Sequence, residues 1–406
     1  MTAPSEGNME KTIAAELANA TGSRELDRLC ERHAQRLFDE GVEPDFTVES
    51  ADFAGDGLLI CADRYWRLRF LDRPTVETAT RCARWLAAHV ASEVRTPIAE
   101  KWSLGYAFIT RDNVESGAEV EHATGALVNG VDNSAEIAYF ATLYHAGKFR
   151  ANFNCEELGE FLNSSLLALA AGELRTGSLF VALESFAAFG RHSVTSEHAV
   201  RLFEKAWNAP GRTLAVIDIC LNGLWWSRPF DRQGELLRTH ATEAVQQYPE
   251  NHIFFYRLAS AHRICEEFDE ALRSIDTALR LLPAMGSRGS HGQLQEQYLA
   301  ERNAIRTEQG RARWVAEQQE LLAELKAENA ALRDTVQSSP VRMVEVVAVF
   351  TAAIAFAVGS LQVTLNGALS KGDRFVLIAT LGAGLLLFAL LIVGLTWFMT
   401  RVRRRR

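Results

Sequence analysis

The chain has 406 residues, 48% of them hydrophobic, and a formal net charge of −8, which is enough chain for two or three domains with buried cores. Residues 1–340 hold 49 acidic and 35 basic side chains, whereas residues 341–406 hold eight basic and two acidic ones. An acidic body lacks the basic face that displaces counterions from nucleic acid, so this composition excludes a nonspecific nucleic-acid binder and predicts no nucleic-acid partner.

The cysteines and the first residues indicate the compartment. Residues 1–23 contain no long apolar run after a basic cluster, so we expect a flexible N-terminus without a secretory signal peptide. No two cysteines form a CxxC pair, which suits reduced thiols in a cytosolic compartment better than a disulfide framework. The six cysteines are Cys30, Cys61, Cys82, Cys155, Cys220 and Cys265.

Residues 24–130 are predicted to form a small α+β domain. The amphipathic segment RELDRLCERHAQRLFDEG predicts a helix that ends at Gly41. Three following segments, DFTVESADF, GLLICADR and YWRLRFLD, alternate apolar and polar residues in the manner of strands. TVETATRCARWLAAHVASEV then predicts a second helix, and LGYAFITRD a fourth strand.

This order of elements is similar to that of restriction-endonuclease-like nucleases. In that interpretation Asp56 would be a metal-binding carboxylate, and the next strand would supply a second acid and a lysine. That strand reads RLR at Arg67–Arg69, with neither group in place. We therefore expect no active nuclease, and a sensor, dimerisation or chaperone-like module is the alternative.

Residues 252–283, HIFFYRLASAHRICEEFDEALRSIDTALRLLP, have the clearest pattern of a helix pair. The first helix carries aromatic, large, small and large residues, and the second carries small, large and small residues before a proline: Phe255, Leu258, Ala259, His262, Ala271, Ile275, Ala278 and Pro283. This pattern resembles the tetratricopeptide repeat (TPR), and Pro249 lies one 34-residue period before Pro283. The small residues let the two helices cross closely.

Two looser units precede this one. LAVIDICLNGLWWSR with GELLRTHATEAVQQYP ends at Pro249, and SLFVALESFAAFGR with EHAVRLFEKAWNAP ends at Pro210, with Ala199, Phe203 and Ala206 in register. We therefore expect a degenerate array of TPR-like helical repeats over residues 131–290. The resemblance implies a concave groove that binds a protein or peptide partner. The candidate partner-binding residues lie on a first helix, with solvated surface as the alternative: Arg257, Ser260 and Arg263.

Residues 291–338 are predicted to form a long helix with a short coiled coil. Its heptad pattern places these side chains at a and d positions: Leu322, Leu325, Asn329 and Leu332. An asparagine at an a position fixes register and favours a parallel dimer. We therefore expect a homo-oligomer, a parallel dimer or higher, with a single amphipathic helix packed on its own domain as the alternative. Ser338–Pro340 should end the helix.

Residues 341–400 are predicted to form a transmembrane hairpin. Two apolar segments, about 343–365 and 375–399, each exceed the roughly 20 residues that a spanning helix needs, and no charged residue lies in 346–370 or 375–400. The short loop between them makes the two helices antiparallel neighbours. Two pairs of small residues at four-residue spacing permit close packing of the first span, and they are Ala348 with Ala352 and Ala355 with Gly359.

The flanking charges predict the topology of the hairpin. Five arginines lie in the basic tail 401–406, whereas the loop holds Lys371 and Arg374 beside Asp373. By the positive-inside rule the tail and the residues before the hairpin are cytoplasmic. The expected location is therefore the inner (cell) membrane, with two spans in the lipid bilayer and both termini in the cytoplasm.

Two functions agree with this mainly α organisation. The first is a membrane-anchored scaffold or adaptor whose TPR-like repeats bind a protein partner. The second is a membrane-perturbing effector, because the organisation looks like that of bacterial antiviral or toxin effectors with a soluble sensor and a small membrane module. The sequence has no GxxxxGK[ST] loop, GxSxG elbow or HExxH pair. We therefore expect no catalytic residue, cofactor or metal, with an unrecognised activity in the N-terminal domain as the third alternative.

Overall fold

The computed structural model describes residues 6–128, 134–282, 288–365 and 370–403. Within these ranges the chain forms seventeen α-helices and one short 3-10 helix. It divides into two compact units, Met1–Thr307 and Glu308–Arg406. The protein is therefore mainly α, as the sequence predicts for most of its length.

The helices have the following bounds. The first unit contains α1 (Glu6–Ala18), α2 (Ser23–Glu40), α3 (Gly57–Asp72), α4 (Val76–His89), α5 (Ser92–Ile109), α6 (Gly117–Val128), α7 (Ala135–Ala151), α8 (Cys155–Ser164), α9 (Leu166–Ala170), the 3-10 helix (Gly172–Thr176), α10 (Ser178–Gly190), α11 (Ser196–Trp207), α12 (Leu214–Trp226), α13 (Gln233–Gln247), α14 (His252–Ile264) and α15 (Phe268–Leu281). The last two helices are α16 (Arg288–Leu365) and α17 (Lys371–Arg403). Helix α1 occupies much of the segment 1–23 that we expected to be flexible.

The prediction of an α+β domain over residues 24–130 is wrong. The described residues of this region form helices α2 to α6 and no strand; Val48 and Val90 share one isolated parallel bridge. The segments GLLICADR and YWRLRFLD join into the single helix α3, and most of LGYAFITRD belongs to α5. The helix predicted from TVETATRCARWLAAHVASEV is confirmed as α4.

Helix α3 forms because its buried residues follow a helical period. Leu59, Ala62, Trp66 and Phe70 recur at spacings of three and four and are fully buried. Asp56 is the N-cap, and its side chain accepts hydrogen bonds from the backbone N–H groups of residues 58 and 59 at 3.0 and 3.1 Å. Asp56 therefore caps a helix, which removes the strand context of the metal-carboxylate interpretation.

From α10 to α15 the chain forms three successive helix pairs, α10/α11, α12/α13 and α14/α15. Their bounds match the segments expected from the sequence. The small residues predicted at helix crossings are buried: Ala199, Ala206, Ala259, Ala271 and Ala278. Pro283, the predicted end of the last pair, lies outside the described residues. This repeat-like packing confirms an array of helix pairs.

One hydrophobic core extends from α1 to α14, so the N-terminal helices and the helix pairs share a single compact unit. A second, smaller core joins α14 and α15 to α16, and its fully buried members include Ile275 and Ile305. The N-terminal part of α16 is therefore held by a cluster separate from the main core.

Helix α16 continues without interruption to Leu365, so the helix end expected at Ser338–Pro340 is wrong. A proline inside a helix removes one backbone hydrogen bond but does not always end the helix. Two helical segments are long and apolar enough to cross a membrane, Val346–Val363 and Lys371–Leu391, and neither is buried.

The two apolar helices pack as antiparallel neighbours. A methyl group at Gly359 would lie 2.7 Å from Cδ2 of Leu381, and one at Gly382 would lie 3.2 Å from a ring carbon of Phe356. These two contacts run in opposite directions along the helices, which confirms the predicted hairpin arrangement.

Candidate functional site

One face of α14 carries polar and aromatic side chains that contact α16. Asn251 caps the helix, with its side chain accepting from the backbone N–H of Ile253 at 3.0 Å. The face consists of residues spaced four, four and three apart, which place them on one side of a helix: His252, Tyr256, Ser260 and Arg263. We call these four residues the α14 face.

Glu301 of α16 is the polar centre of this contact. Its Oε1 accepts from Ser260 Oγ and from Arg263 Nε, both at 2.9 Å. Only 9% of the Glu301 side chain is exposed. A carboxylate at this depth needs charged and hydrogen-bonding partners to offset its desolvation, and the α14 face supplies one cation and one hydroxyl.

Tyr298 of α16 is the aromatic centre of the contact. Its ring stacks on Tyr256 with centroids 4.8 Å apart, and its hydroxyl lies 2.6 Å from His252 Nδ1. Burial raises the pKa of Tyr298 and lowers the pKa of His252. Both groups are therefore neutral near pH 7, and Tyr298 remains a hydrogen-bonding phenol.

Arg302 adds a peripheral ion pair. Its Nε lies 2.7 Å from Asp276 Oδ1 on α15, where both side chains are partly exposed. Such an exposed pair contributes little stability. It nevertheless fixes which side of α16 faces the α14/α15 pair.

Arg257 lies on the side of α14 that faces α12. Its Nη2 donates to Asn222 Oδ1 at 2.6 Å, and its guanidinium lies 4.2 Å from the ring centroid of Trp225. Arg257 is 8% exposed, and burial lowers its pKa, although the nearby Asp218 opposes that shift. Its Nε and Nη1 groups have no hydrogen-bond partner among the described residues.

Asp218 is shared by two arginines. Arg150 Nη2 donates to Asp218 Oδ2 at 2.6 Å, while Arg257 interacts with the same carboxylate electrostatically. Two guanidinium groups, from α7 and α14, therefore interact with one carboxylate of α12. Because Arg257 is buried while Arg150 and Asp218 are partly exposed, a further anionic group near Arg257 would be favourable.

The structure brings the three predicted partner-binding residues onto one helix but in different environments. Ser260 is fully buried and Arg263 partly exposed, and both contact Glu301. Arg257 is buried toward α12. In this conformation the protein's own α16 covers the α14 face.

Tyr298, Glu301 and Ile305 are not among the residues that the sequence predicts for this site, because the pattern of residues 291–338 indicates only a long helix with a coiled coil. The three residues recur at spacings of three and four, and they are the buried side chains of α16 between residues 291 and 307. That spacing is the signal of an amphipathic helix with a narrow buried side.

The predicted oligomerisation residues lie on an exposed part of α16. Leu322, Leu325 and Leu332 are 45–56% exposed, and the Asn329 side chain donates within the helix to the Leu325 carbonyl at 2.9 Å. The segment 311–333 is exposed on every side. Large apolar residues on the surface of an isolated helix are typical of a helix that packs against another protein chain.

The predicted packing residues of the first apolar segment differ in their contacts. Gly359 contacts Leu381 of α17 directly. Ala348 and Ala352 are half-buried, whereas Ala355 is exposed. Gly359 is therefore the one of these four residues for which a close contact with α17 is described.

No protein-family model, curated protein or solved structure matches this chain.

The described residues also contain no group of three or more His, Cys, Asp or Glu side chains that could hold a metal ion. The α14 face, with its ion pair to Glu301 and its aromatic stacking on Tyr298, contacts the helix α16 and is the candidate functional site.

Proposed function

We propose that this protein is a membrane-anchored, TPR-like adaptor that binds a protein partner at the cytoplasmic face of the inner membrane. The observation that carries the proposal is the contact between the α14 face and α16. A surface of the helix-pair array already holds an amphipathic helix through a buried carboxylate and a stacked aromatic ring. A partner that presents a similar helix fits the same chemistry.

The proposed membrane anchor of the protein is the pair of apolar helices. Val346–Val363 and Lys371–Leu391 expose large apolar side chains along their length. In water this surface would be unfavourable, whereas the hydrocarbon core of a bilayer accommodates it. Arginines beyond the second helix favour a cytoplasmic tail.

The exposed heptad segment supports a homo-oligomer. Leu325 and Leu332 have no packing partner in the described chain and are 45% and 56% exposed. A second copy of the segment would bury them in a parallel dimer. We expect Leu325→Glu to abolish chemical crosslinking between copies in membranes, and Ala327→Glu, at the outer f position, to leave it unchanged.

Photocrosslinking in cells tests the adaptor function. A photoreactive amino acid replaces Ile264, which is 39% exposed and follows Arg263 on α14. The matched control carries it at Arg280, an exposed position on α15. We expect an adduct of defined mass in the membrane fraction from position 264 only. Absence of that adduct, or the same adduct from position 280, would contradict the adaptor function.

A second candidate function is a membrane-perturbing effector, and the uninterrupted course of α16 favours it. A single helix includes both the residues that contact the α14 face and the first apolar segment. A change at the α14 face could then reach the apolar segment along the same helix. Membrane potential in cells expressing the full chain tests this function, with a chain ending at Pro340 as control. Depolarisation by the full chain alone supports the effector.

A further inference from the structure

The contact between α16 and the α14 face has few apolar anchors. Between residues 291 and 307, the buried side chains of α16 are Tyr298, Glu301 and Ile305. The α14/α15 pair, in contrast, is joined by alanines and Ile275 that are fully buried. A helix with two apolar anchors and one buried carboxylate is a weak occupant of its site, and replacing it costs less than separating a helix pair.

The arginines on and beside the α14 face outnumber the carboxylates that α16 supplies. Arg257 and Arg263 lie on α14, and Arg150 lies nearby against Asp218. Glu301 supplies the one carboxylate of α16 at the site, and it pairs with Arg263. The buried Arg257 keeps two N–H groups without a partner among the described residues. An unpaired buried donor is unfavourable, so a helix with a second carboxylate would fit better.

Tyr298 is a residue of α16 that interacts electrostatically with Arg257. The Tyr298 ring stacks on Tyr256, and the Arg257 guanidinium lies 5.2 Å from the centroid of that same Tyr256 ring. The positive charge of Arg257 also acts on the Tyr298 phenol, more strongly than the negative charge of Asp218. An acidic side chain at this position of a bound helix would therefore interact with the charge of Arg257.

We propose that the α14 face is a docking site for an acidic amphipathic helix of a partner protein, and that residues 291–307 of α16 occupy it until that helix replaces them. The partner helix carries one carboxylate in the place of Glu301 and a second, three residues earlier, toward Arg257. The proposal rests on the adaptor function above and states the chemistry of its partner. In the absence of that partner, residues 291–307 of the same chain cover the α14 face.

Peptide binding to the full chain in detergent micelles tests this proposal. The probes are fluorescein-labelled peptides with the sequence of residues 291–308, with glutamate or glutamine in the place of Tyr298. The two peptides differ in one charge. We expect the glutamate peptide to bind at least tenfold more tightly by fluorescence anisotropy, and the difference to shrink at 0.5 M salt (roughly a 4 Å Debye length).

Two variants of the full chain locate the binding site. Glu301→Gln weakens the hold of α16 on the α14 face and should strengthen binding of both peptides several-fold. Glu296→Gln removes an exposed charge from the same helix, away from the contact, and should change neither affinity. Arg257→Gln should remove the preference for the glutamate peptide, and Arg257→Lys should retain part of it.

Two results would overturn the proposal: equal affinities for the two peptides, or the same gain from Glu296→Gln as from Glu301→Gln. Since Arg257→Gln could unfold the chain, the peptide pair on the otherwise unaltered chain is the deciding comparison. Failure of peptide binding while position 264 still captures a partner would reject the acidic helix and leave the adaptor function intact. Peptide binding without any captured partner would reject the adaptor function instead.

Discussion

Lys148 of α7 provides a quantitative test of the packing of the N-terminal helices. Its side chain is fully buried, and its ammonium group donates to the backbone carbonyls of Pro74 and Asn113, both at 2.7 Å. Glu115 lies at the salt-bridge limit of 4.0 Å. The lysine therefore joins the loop before α4 to the loop before α6, at the cost of burying a charge.

Burial lowers the pKa of Lys148 from 10.5 to about 8, while Glu115 opposes the shift. The folded state therefore binds fewer protons than the unfolded chain between these two values. The free energy of unfolding consequently rises with pH between about 8 and 10.5. Below pH 8 this gain in stability is absent. The difference in the pKa of Lys148 between the folded and unfolded states raises the free energy of unfolding by about 3 kcal/mol between pH 8 and pH 10.5. One pKa unit is worth about 1.4 kcal/mol.

Urea unfolding of the full chain in detergent, followed by tryptophan fluorescence, measures this dependence. Trp66, Trp85 and Trp102 are buried in the same N-terminal core and report its unfolding. We expect Lys148→Met to flatten the rise in unfolding free energy between pH 8 and pH 10. Lys205→Met, at an exposed lysine of α11, should keep it. Parallel profiles for the two variants would refute the role assigned to Lys148.

Three further predictions test local features. Asp56→Ala should lower the unfolding free energy by about 1 kcal/mol in the same urea assay, because it removes the N-cap of α3, whereas Asp56→Asn should change it little. Gly359→Leu should destabilise the apolar hairpin by roughly 1–3 kcal/mol through overpacking, seen as faster proteolysis in micelles, while Gly384→Leu, in open space, should not. A membrane-impermeant thiol reagent applied to whole cells should label Ser370→Cys in the loop but not Thr307→Cys; the reverse result would contradict the predicted topology.

The helix pairs could be predicted from the sequence because their signal is long and redundant. Ala259, Ala271 and Ala278 mark close crossings, and each pair repeats a helical period over two helices. Several independent features therefore indicate the same structure. The apolar segments at the C-terminus are readable for the same reason, since about twenty consecutive residues contribute to each.

The prediction for the N-terminal region is wrong because the sequence pattern of each segment there is short. In the segment from Trp66 to Phe70, apolar residues alternate with arginines and satisfy the two-residue period of a strand. The same two aromatic residues are also one helical turn apart, and Leu59 and Ala62 extend their stripe. Five residues cannot separate the two periods, and the cap at Asp56 was the decisive local feature.

The contact of Glu301 with Ser260 could not be predicted from either segment alone. The two residues lie 41 positions apart, and the described part of the chain places them together only through the packing of α16 on α14. Local periodicity shows that Glu301 lies beside Tyr298 on one side of a helix, but not which helix covers that side. Contacts between distant elements depend on tertiary packing, which propensity and patterning do not encode.

The two candidate functions differ in what they require of α16. A flexible linker introduced into α16 is the experiment that distinguishes the two functions. Replacing Ser338–Pro340 with six glycines removes helix propensity at about 1 kcal/mol per residue and makes this part of α16 a flexible linker. An adaptor needs only a tether, so capture of a partner at position 264 should persist in the membrane fraction. An effector needs an uninterrupted helix, so depolarisation by the full chain should be lost. Replacing the same three residues with six alanines preserves the helix and is the matched control. If the glycines abolish capture and the alanines retain it, continuity of α16 is required for partner binding, and an adaptor joined to its anchor by a passive tether is refuted.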